Sequence, residues 1–329
     1  GRIETWNATL ERKLPGDFFI GIGYVGNHFY HGWAQKNLHA SVIDGQSPLT
    51  AQWGRTADTV AIEGYVNSSY NALQVTIDRH FSKGLYIKGA YTWSKAIDLL
   101  SDSSWSGASW STPLFAGPGY LQHNRGMADF DHRHIFRMAF VWDVPYGSGQ
   151  KWGANAPAIG RGILGGWQLN GIWSSQSGVP TGIYSDNSLM QQVGNWQTMD
   201  QVAPIRKVGV LGPQGQWYDP ASFAIVPTET DGRQHRFGTA GRNIAVYGPG
   251  RWNFDASLFK HFKLTERFDL QFRAEGLNVF NHPYWNWDNS QWGTGFCTTT
   301  ATGACAGGFL RSNTAAGQRI FKLGLRLSF

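Results

Sequence analysis

The C-terminal residues Phe321, Leu323, Leu325, Leu327 and Phe329 alternate with Lys322, Gly324, Arg326 and Ser328. A two-residue period puts one apolar row and one polar row on opposite faces of an extended strand, which a helix cannot do. The pattern recurs upstream. Phe268, Leu270, Phe272 and Ala274 oppose Asp269, Gln271, Arg273 and Glu275, until the alternation breaks near Gly276-Leu277 at a bulge or the end of the apolar band. Trp252, Phe254, Ala256 and Leu258 oppose Asn253, Asp255 and Ser257, and Trp167, Leu169 and Trp173 oppose Gln168, Asn170 and Ser174. Phe136, Met138, Phe140, Trp142 and Val144 face away from Arg137 and Asp143. Leu85, Ile87, Tyr91 and Trp93 oppose Lys88, Thr92 and Ser94, and Leu73, Val75 and Ile77 oppose Gln74, Thr76 and Asp78. Weaker segments lie at Thr5 to Leu14 and Asp17 to Val25. The sum is about nine strands, each near the roughly 9–11 residues that cross a bilayer when tilted.

The connections between these strands fall into two kinds. Pro15-Gly16, Ser82-Lys83, Pro145 to Gly162, and Lys263 to Glu266 are short or moderate, whereas those at about 30–66, 97–131, 178–250 and 282–317 are long. Short and long alternate along the whole chain, so every long connection emerges at one end of the strands. Outer-membrane barrels have short periplasmic turns and long extracellular loops, whereas compact soluble domains rarely carry long structureless connections. The fold class expected is all-β, an antiparallel transmembrane β-barrel. The last loop lies outside, so the final strand runs inward and Phe329 ends at the periplasmic face; the first strand runs inward too. Nine strands with an outside start, set against the even number of a complete bacterial barrel, predict a C-terminal portion of a larger barrel.

Composition removes other classes. Only 15% of the 329 residues are charged, 15% are aromatic, and there are 42 glycines and 16 tryptophans, the opposite of a disordered chain. Apolar runs such as Ala139-Phe140-Val141-Trp142 fall far short of the roughly 18 residues of a spanning helix. Gly1 to Leu14 has neither the basic start nor the apolar core of a secretion signal. The net charge is +6, but the 28 basic residues form no run or stripe, so a nucleic-acid footprint is not expected.

Several pieces, in order, resemble the C-terminal barrel half of TonB-dependent outer-membrane receptors, most closely the Oar-like group with a carboxypeptidase-regulatory-like domain. They are Tyr70-Asn71-Ala72-Leu73-Gln74, Gly84-Leu85, Tyr91-Thr92-Trp93-Ser94-Lys95 and Asp129-Phe130-Asp131-His132-Arg133-His134. Then come Gly165-Gly166-Trp167-Gln168-Leu169-Asn170-Gly171, Gln176-Ser177-Gly178-Val179-Pro180, Trp217-Tyr218-Asp219-Pro220 and Phe237-Gly238. Gly241-Arg242-Asn243, Gly248-Pro249-Gly250, Phe272-Arg273-Ala274-Glu275, Asn278-Val279-Phe280-Asn281-His282-Pro283 and the terminal Phe329 complete the set. The resemblance covers roughly residues 67–329 and is loose before that. It implies the last nine strands of a barrel of about 22, and ligand capture by loops followed by movement of a plug driven by the inner-membrane TonB complex. The plug and the TonB-contacting segment are not in this chain. The resemblance also implies that the barrel-assembly machinery reads Phe329; packing in the aromatic girdle is the alternative.

Chemistry-bearing residues give little sign of catalysis. Gly21-Ile22-Gly23-Tyr24-Val25-Gly26 matches a dinucleotide-binding pattern but lies within a strand, with no following helix to receive a pyrophosphate; the glycines make room for bulky neighbours. Asp129, Asp131, His132 and His134 do not converge on a strand, so a rim segment pinned by an aspartate–arginine pair is preferred to a metal site. Arg273 and Glu275 read as a polar pair facing the lumen. There is no nucleophile elbow or phosphate loop, so neither an enzyme nor a cofactor is expected. The long loops carry Trp105, Trp110, Phe115 and Tyr120, then Trp217 and Tyr218, then Tyr284, Trp285, Trp287 and Trp292. Such rings suit stacking on an extracellular glycan or gripping a peptide or chelate; alternatively they pack the loops together and anchor them at the lipid interface. Cys297 and Cys305 are expected to staple a small hairpin in an oxidising compartment. The function expected is ligand uptake through a plugged lumen, the alternative a non-transporting surface or adhesion barrel or a small porin-like barrel.

Overall fold

The computed structural model describes the chain except residues 41–46, 58, 102–114, 116, 118, 148, 187, 191–194, 213–214, 245, 266, 288–294, 298–304, 306–307 and 313–314. Nine long strands form one sheet: β1 (Arg2–Leu14), β2 (Phe18–Asn37), β3 (Val60–Ser82), β4 (Leu85–Asp98), β5 (His134–Asp143), β6 (Trp167–Gln176), β7 (Arg251–Lys263), β8 (Asp269–Leu277) and β9 (Ile320–Ser328). Each pairs with the next in chain order and antiparallel, and the two-residue strand Gly126–Met127 adds to the end of β4. Every connection returns the chain to the adjacent position, the up-and-down order of a membrane barrel wall. The edges are β1 and β9, and no pairing joins them among the described residues.

The registers carry the alternation across strands. Leu10, Ile22, Val75, Tyr91 and Phe136 form one continuous row, and Glu11, Gly21, Thr76, Ala90, Arg137, Ser174 and Asn253 form the adjacent one. Farther along, Leu258, Ala274 and Leu323 line up on the first face and Ser257, Glu275 and Lys322 on the second. The apolar face is the lipid face, because a one-residue slip would turn every ring inward and every charge outward. Polar bonds follow the other face: Asn170 Nδ2 donates to Ser257 Oγ at 3.1 Å and Gln168 Nε2 to Asp143 Oδ1 at 2.8 Å. Gly171 sits on the lipid face, where a Cβ would lie 2.4 Å from the Phe140 ring and 3.0 Å from that of Phe254. Two aromatic side chains from flanking strands thus cover a position that must stay empty. Gly21 works the same way on the lumen face, between Glu11 and Thr76.

Some boundaries differ from the sequence reading. The β2–β3 hairpin continues to Asn37 and from Val60, past register shifts around Phe29, Gly32 and Trp33, so its connection is 38–59 rather than 30–66 and contains helix α1 (Pro48–Trp53). The break after β8 is the end of the strand: Asn278 and Asn281 both take φ of 50°, the left-handed region that Asn tolerates better than most residues. The connection 144–166, read from the sequence as a short or moderate one over Pro145 to Gly162, contains helix α2 (Ala158–Leu164).

Candidate functional site

The connections 177–250 and 278–319 leave the same end of the sheet and pack together. Connections this long carry many backbone polar groups that need partners when buried, and short inter-loop pairings supply them. Phe296–Cys297 runs parallel to Tyr184–Ser185, which pairs on its other side with Gln197–Thr198; Gly215–Gln216 pairs with Arg311–Ser312. Between them lies the principal apolar core of the molecule, with Ile183, Met199, Trp217, Tyr218, Phe223, Val246, Trp287, Phe309 and Leu310 all buried. Each such large side chain contributes on the order of 1.5–3 kcal/mol when removed from water. A disulfide joins Cys297 to Cys305. Cys297 belongs to the parallel inter-loop strand and Cys305 packs against the same core; residues 298–304, which would form the expected hairpin, lie outside the described residues.

A charged knot ties this body to the barrel rim. Arg242, 5% exposed, donates to Asp98 Oδ1 at 2.7 Å, to Asp129 Oδ1 at 3.1 Å, to Ser101 Oγ at 2.6 Å and to the Asn124 carbonyl at 3.1 Å. Burial works against its charge, but Asp98 and Asp129 outweigh that and hold the guanidinium pKa above its ordinary value. Asn243 donates to Asp129 and to the Met127 carbonyl. Asp131, 2% exposed, accepts from the Ala96 backbone N–H at 2.8 Å and from the Tyr247 hydroxyl at 3.2 Å. Burial raises the pKa of the Tyr247 hydroxyl, which keeps it a donor. Within the loop body, Arg236 grips Asp200 with two bonds of 2.7 and 2.6 Å and holds that carboxyl below the usual carboxylate range.

The predicted rings separate into three groups. Trp217, Tyr218 and Trp287, expected either to meet a ligand or to pack the loops together, are 8%, 7% and 9% exposed and belong to the loop core; the two connections fold onto one another and leave those faces little access to solvent. Phe115 is likewise buried, and Tyr120 packs edge-on against Phe237 at 4.9 Å. Tyr284 is 40% exposed and Trp285 is half-buried, at the base of the last loop where Arg251 approaches the Tyr284 ring. Trp105, Trp110 and Trp292 lie outside the described residues. Arg273 and Glu275 share the lumen face but form no ion pair: the Arg273 guanidinium lies 4.5 Å from the Phe259 ring centre, and Glu275 stands opposite Lys322. Phe329 is 96% exposed beyond the edge strand.

The Asp129 to His134 segment is pinned by arginines, with Arg242 on Asp129 and Arg133 near Asp131. Its histidines diverge, His132 Nδ1 meeting the Ser177 carbonyl at 2.6 Å and His134 the Tyr91 hydroxyl at 2.8 Å. Among the described residues no group of three or more His, Cys, Asp or Glu is placed to hold a metal ion. Asp98 and Arg242 were not singled out as a pair in the sequence; the available signal was a lone arginine between Gly241 and Asn243 in a chain poor in charge. An apolar groove lined by Leu85, Ile87, Met138, Phe140 and Trp142 opens on the lipid face, where acyl chains are the solvent.

A meandering sheet with an apolar outer face, a polar inner face and its large loops at one end defines a wall of a bacterial outer-membrane β-barrel. The family profile of the outer membrane beta barrel domain matches residues 1–312, and the chain belongs to that family. No curated protein sequence matches it significantly. Among solved structures, the chain is similar to the outer membrane transporter YddB from Escherichia coli (TM-score 0.46, 9% identity) over 99% of its own length and 32% of that protein's. It is similar to the ferric-catecholate import receptor Fiu from E. coli K12 (0.42, 10%) over 99% and 27%, and to Pseudomonas aeruginosa FpvA bound to a ferripyoverdine (0.43, 10%) over the same shares. The chain therefore spans about a third or less of the length of these structures.

Proposed function

We propose that this chain forms part of the barrel of a TonB-dependent receptor, which captures an extracellular ligand on its loops and passes it through a plugged lumen. The observation that carries the reading is the packed body built from 177–250 and 278–319 above one end of the strands, a structure far larger than a barrel needs merely to close its loops. The ordered sequence pieces from Tyr70 to Phe329 support the receptor class. The unpaired edges of β1 and β9 support further strands, since each backbone group left unsatisfied in hydrocarbon costs several kcal/mol. The ligand class is a glycan, peptide or chelate, and Tyr284 and Trp285 are candidate rings left outside the loop core. The plug, the TonB-contacting segment and the remaining strands belong to parts outside this chain, and the barrel-assembly machinery is the partner for Phe329.

Deleting the gene and measuring energised uptake of labelled glycans, peptides and iron chelates, with and without TonB, tests the reading. Loss of uptake of one class in both the deletion strain and the TonB-deficient strain is expected. A second reading, a surface or adhesion barrel, draws on the burial of Trp217, Tyr218 and Trp287, which spends those rings on loop packing. Normal uptake of every class together with lost surface adhesion favours it.

A further inference from the structure

Helix α2 is fastened to the outside of the barrel. Lys260 on β7 pairs in register with Trp167 on β6, and both belong to the lipid-facing rows of Trp252, Phe254 and Trp173. Lys260 is 2% exposed, and its Nζ donates to the carbonyls of Gly162 at 2.8 Å, Ile163 at 3.1 Å and Gly165. The Trp167 Nε1 donates to the Ile163 carbonyl at 2.8 Å. These are the orphan carbonyls of the helix C-terminus, where a cation also meets the negative end of the helix dipole. The arrangement solves two problems at once. A lysine on a lipid-facing row is costly in hydrocarbon unless its ammonium finds polar partners, and α2 supplies them; in return α2 is held on the lipid side and away from the lumen.

The side chains α2 leaves outward are Ile159, Ile163 and Leu164, which are 78%, 62% and 51% exposed. Three large aliphatics on a helix of seven residues would be a poor surface for water. The connection 144–166 contains no acidic residue, and its charges are Lys151 and Arg161, the sign that suits phosphate headgroups. Trp152, 48% exposed and with Lys151 beside its ring, adds an amphipathic ring of the kind enriched at membrane interfaces. We infer that α2 is an in-plane interfacial helix that seats Ile159, Ile163 and Leu164 in the inner, phospholipid leaflet of the outer membrane, with Lys260 as its tether.

The two cysteines of this chain are both in the disulfide, so an introduced cysteine adds a free thiol to it, read against the equally treated unsubstituted protein. I159C, I163C and, as the aqueous reference on the extracellular loop body, T228C, also exposed, are made in the full-length protein, labelled with bimane and assembled in phosphatidylethanolamine–phosphatidylglycerol vesicles. All three positions are exposed, so the labels displace no packing, and heat-modifiable gel mobility reports that each barrel has formed. The labels at 159 and 163 should be quenched by doxyl-phospholipid at least twofold more than the label at 228, and less by aqueous iodide. Equal iodide quenching at all three positions, with no lipid quenching at 159 or 163, overturns the inference.

Discussion

Replacing Arg242 with Met should open the extracellular body without unfolding the barrel. The substitution removes the donor to Asp98, Asp129, Ser101 and the Asn124 carbonyl and leaves the Asp98 carboxylate, its side chain 5% exposed, without its cation. Asp129 is 43% exposed in its side chain and stays solvated, so most of the cost falls on Asp98. Removing one partner of a buried ion pair costs about 3–5 kcal/mol, which multiplies the open population roughly a hundredfold to a few thousandfold. Native-state proteolysis of intact outer-membrane vesicles tracks that population when closing outpaces cleavage. Cleavage within 99–133 and 177–250 should accelerate by that factor while heat-modifiable mobility is retained. Adding D98N to R242M removes the stranded charge and should recover a large part of the loss, the coupling expected of two residues in contact. Unchanged cleavage in R242M, or no recovery in the double variant, would refute the reasoning.

Further expectations follow from other contacts. The Asp200 carboxyl is depressed by Arg236, so its contribution to the loop body is fully present above the unfolded pKa of about 3.9 and is lost as pH falls through the lower folded value. Protease resistance at 195–240 should therefore hold between pH 7 and 5 and fall below about 4, and D200N should remove that dependence. Reducing the Cys297–Cys305 bridge, whose sequence separation is 8, should cost about 2.5 kcal/mol on chain-entropy grounds. Hydrogen exchange should quicken at 296–312 and not in β1–β4. Gly171→Leu drives a side chain into the Phe140 and Phe254 rings and should cut the amount of assembled, heat-modifiable barrel severalfold, whereas Gly324→Ala meets nothing within 4 Å and should assemble normally.

The strands from Leu73 onward were legible because both solvents of a barrel wall write themselves into the sequence at period two. Beyond the bilayer that constraint lapses. The upper part of the β2–β3 hairpin carries His28, Tyr30 and His31 with no strict alternation, and its extent is set by cross-strand pairing that local pattern does not encode. The loop core was illegible for a related reason. Trp217 and Trp287 look alike in sequence whether they face a ligand or each other's loops, and only contacts across some 70 positions make them core. Helix α2 was hidden by Pro157, Gly160 and Gly162, residues that ordinarily argue against a helix, and Lys260 with Trp167 supply from a distance what its sequence lacks. The resemblance contained Gly241-Arg242-Asn243 as a pattern; its role as the knot between Asp98 and Asp129 needed the fold.

The central claim is that these nine strands are one arc of a larger barrel whose edges are completed by other strands. The most direct test is the intact mass and N-terminal sequence of the native protein extracted from outer membranes. A mass well above the 36.5 kDa of this chain, with β-strand and plug-like sequence preceding Gly1, is the result predicted. A mature protein of that mass beginning at Gly1 would contradict the account, since β1 and β9 would then have to close on each other.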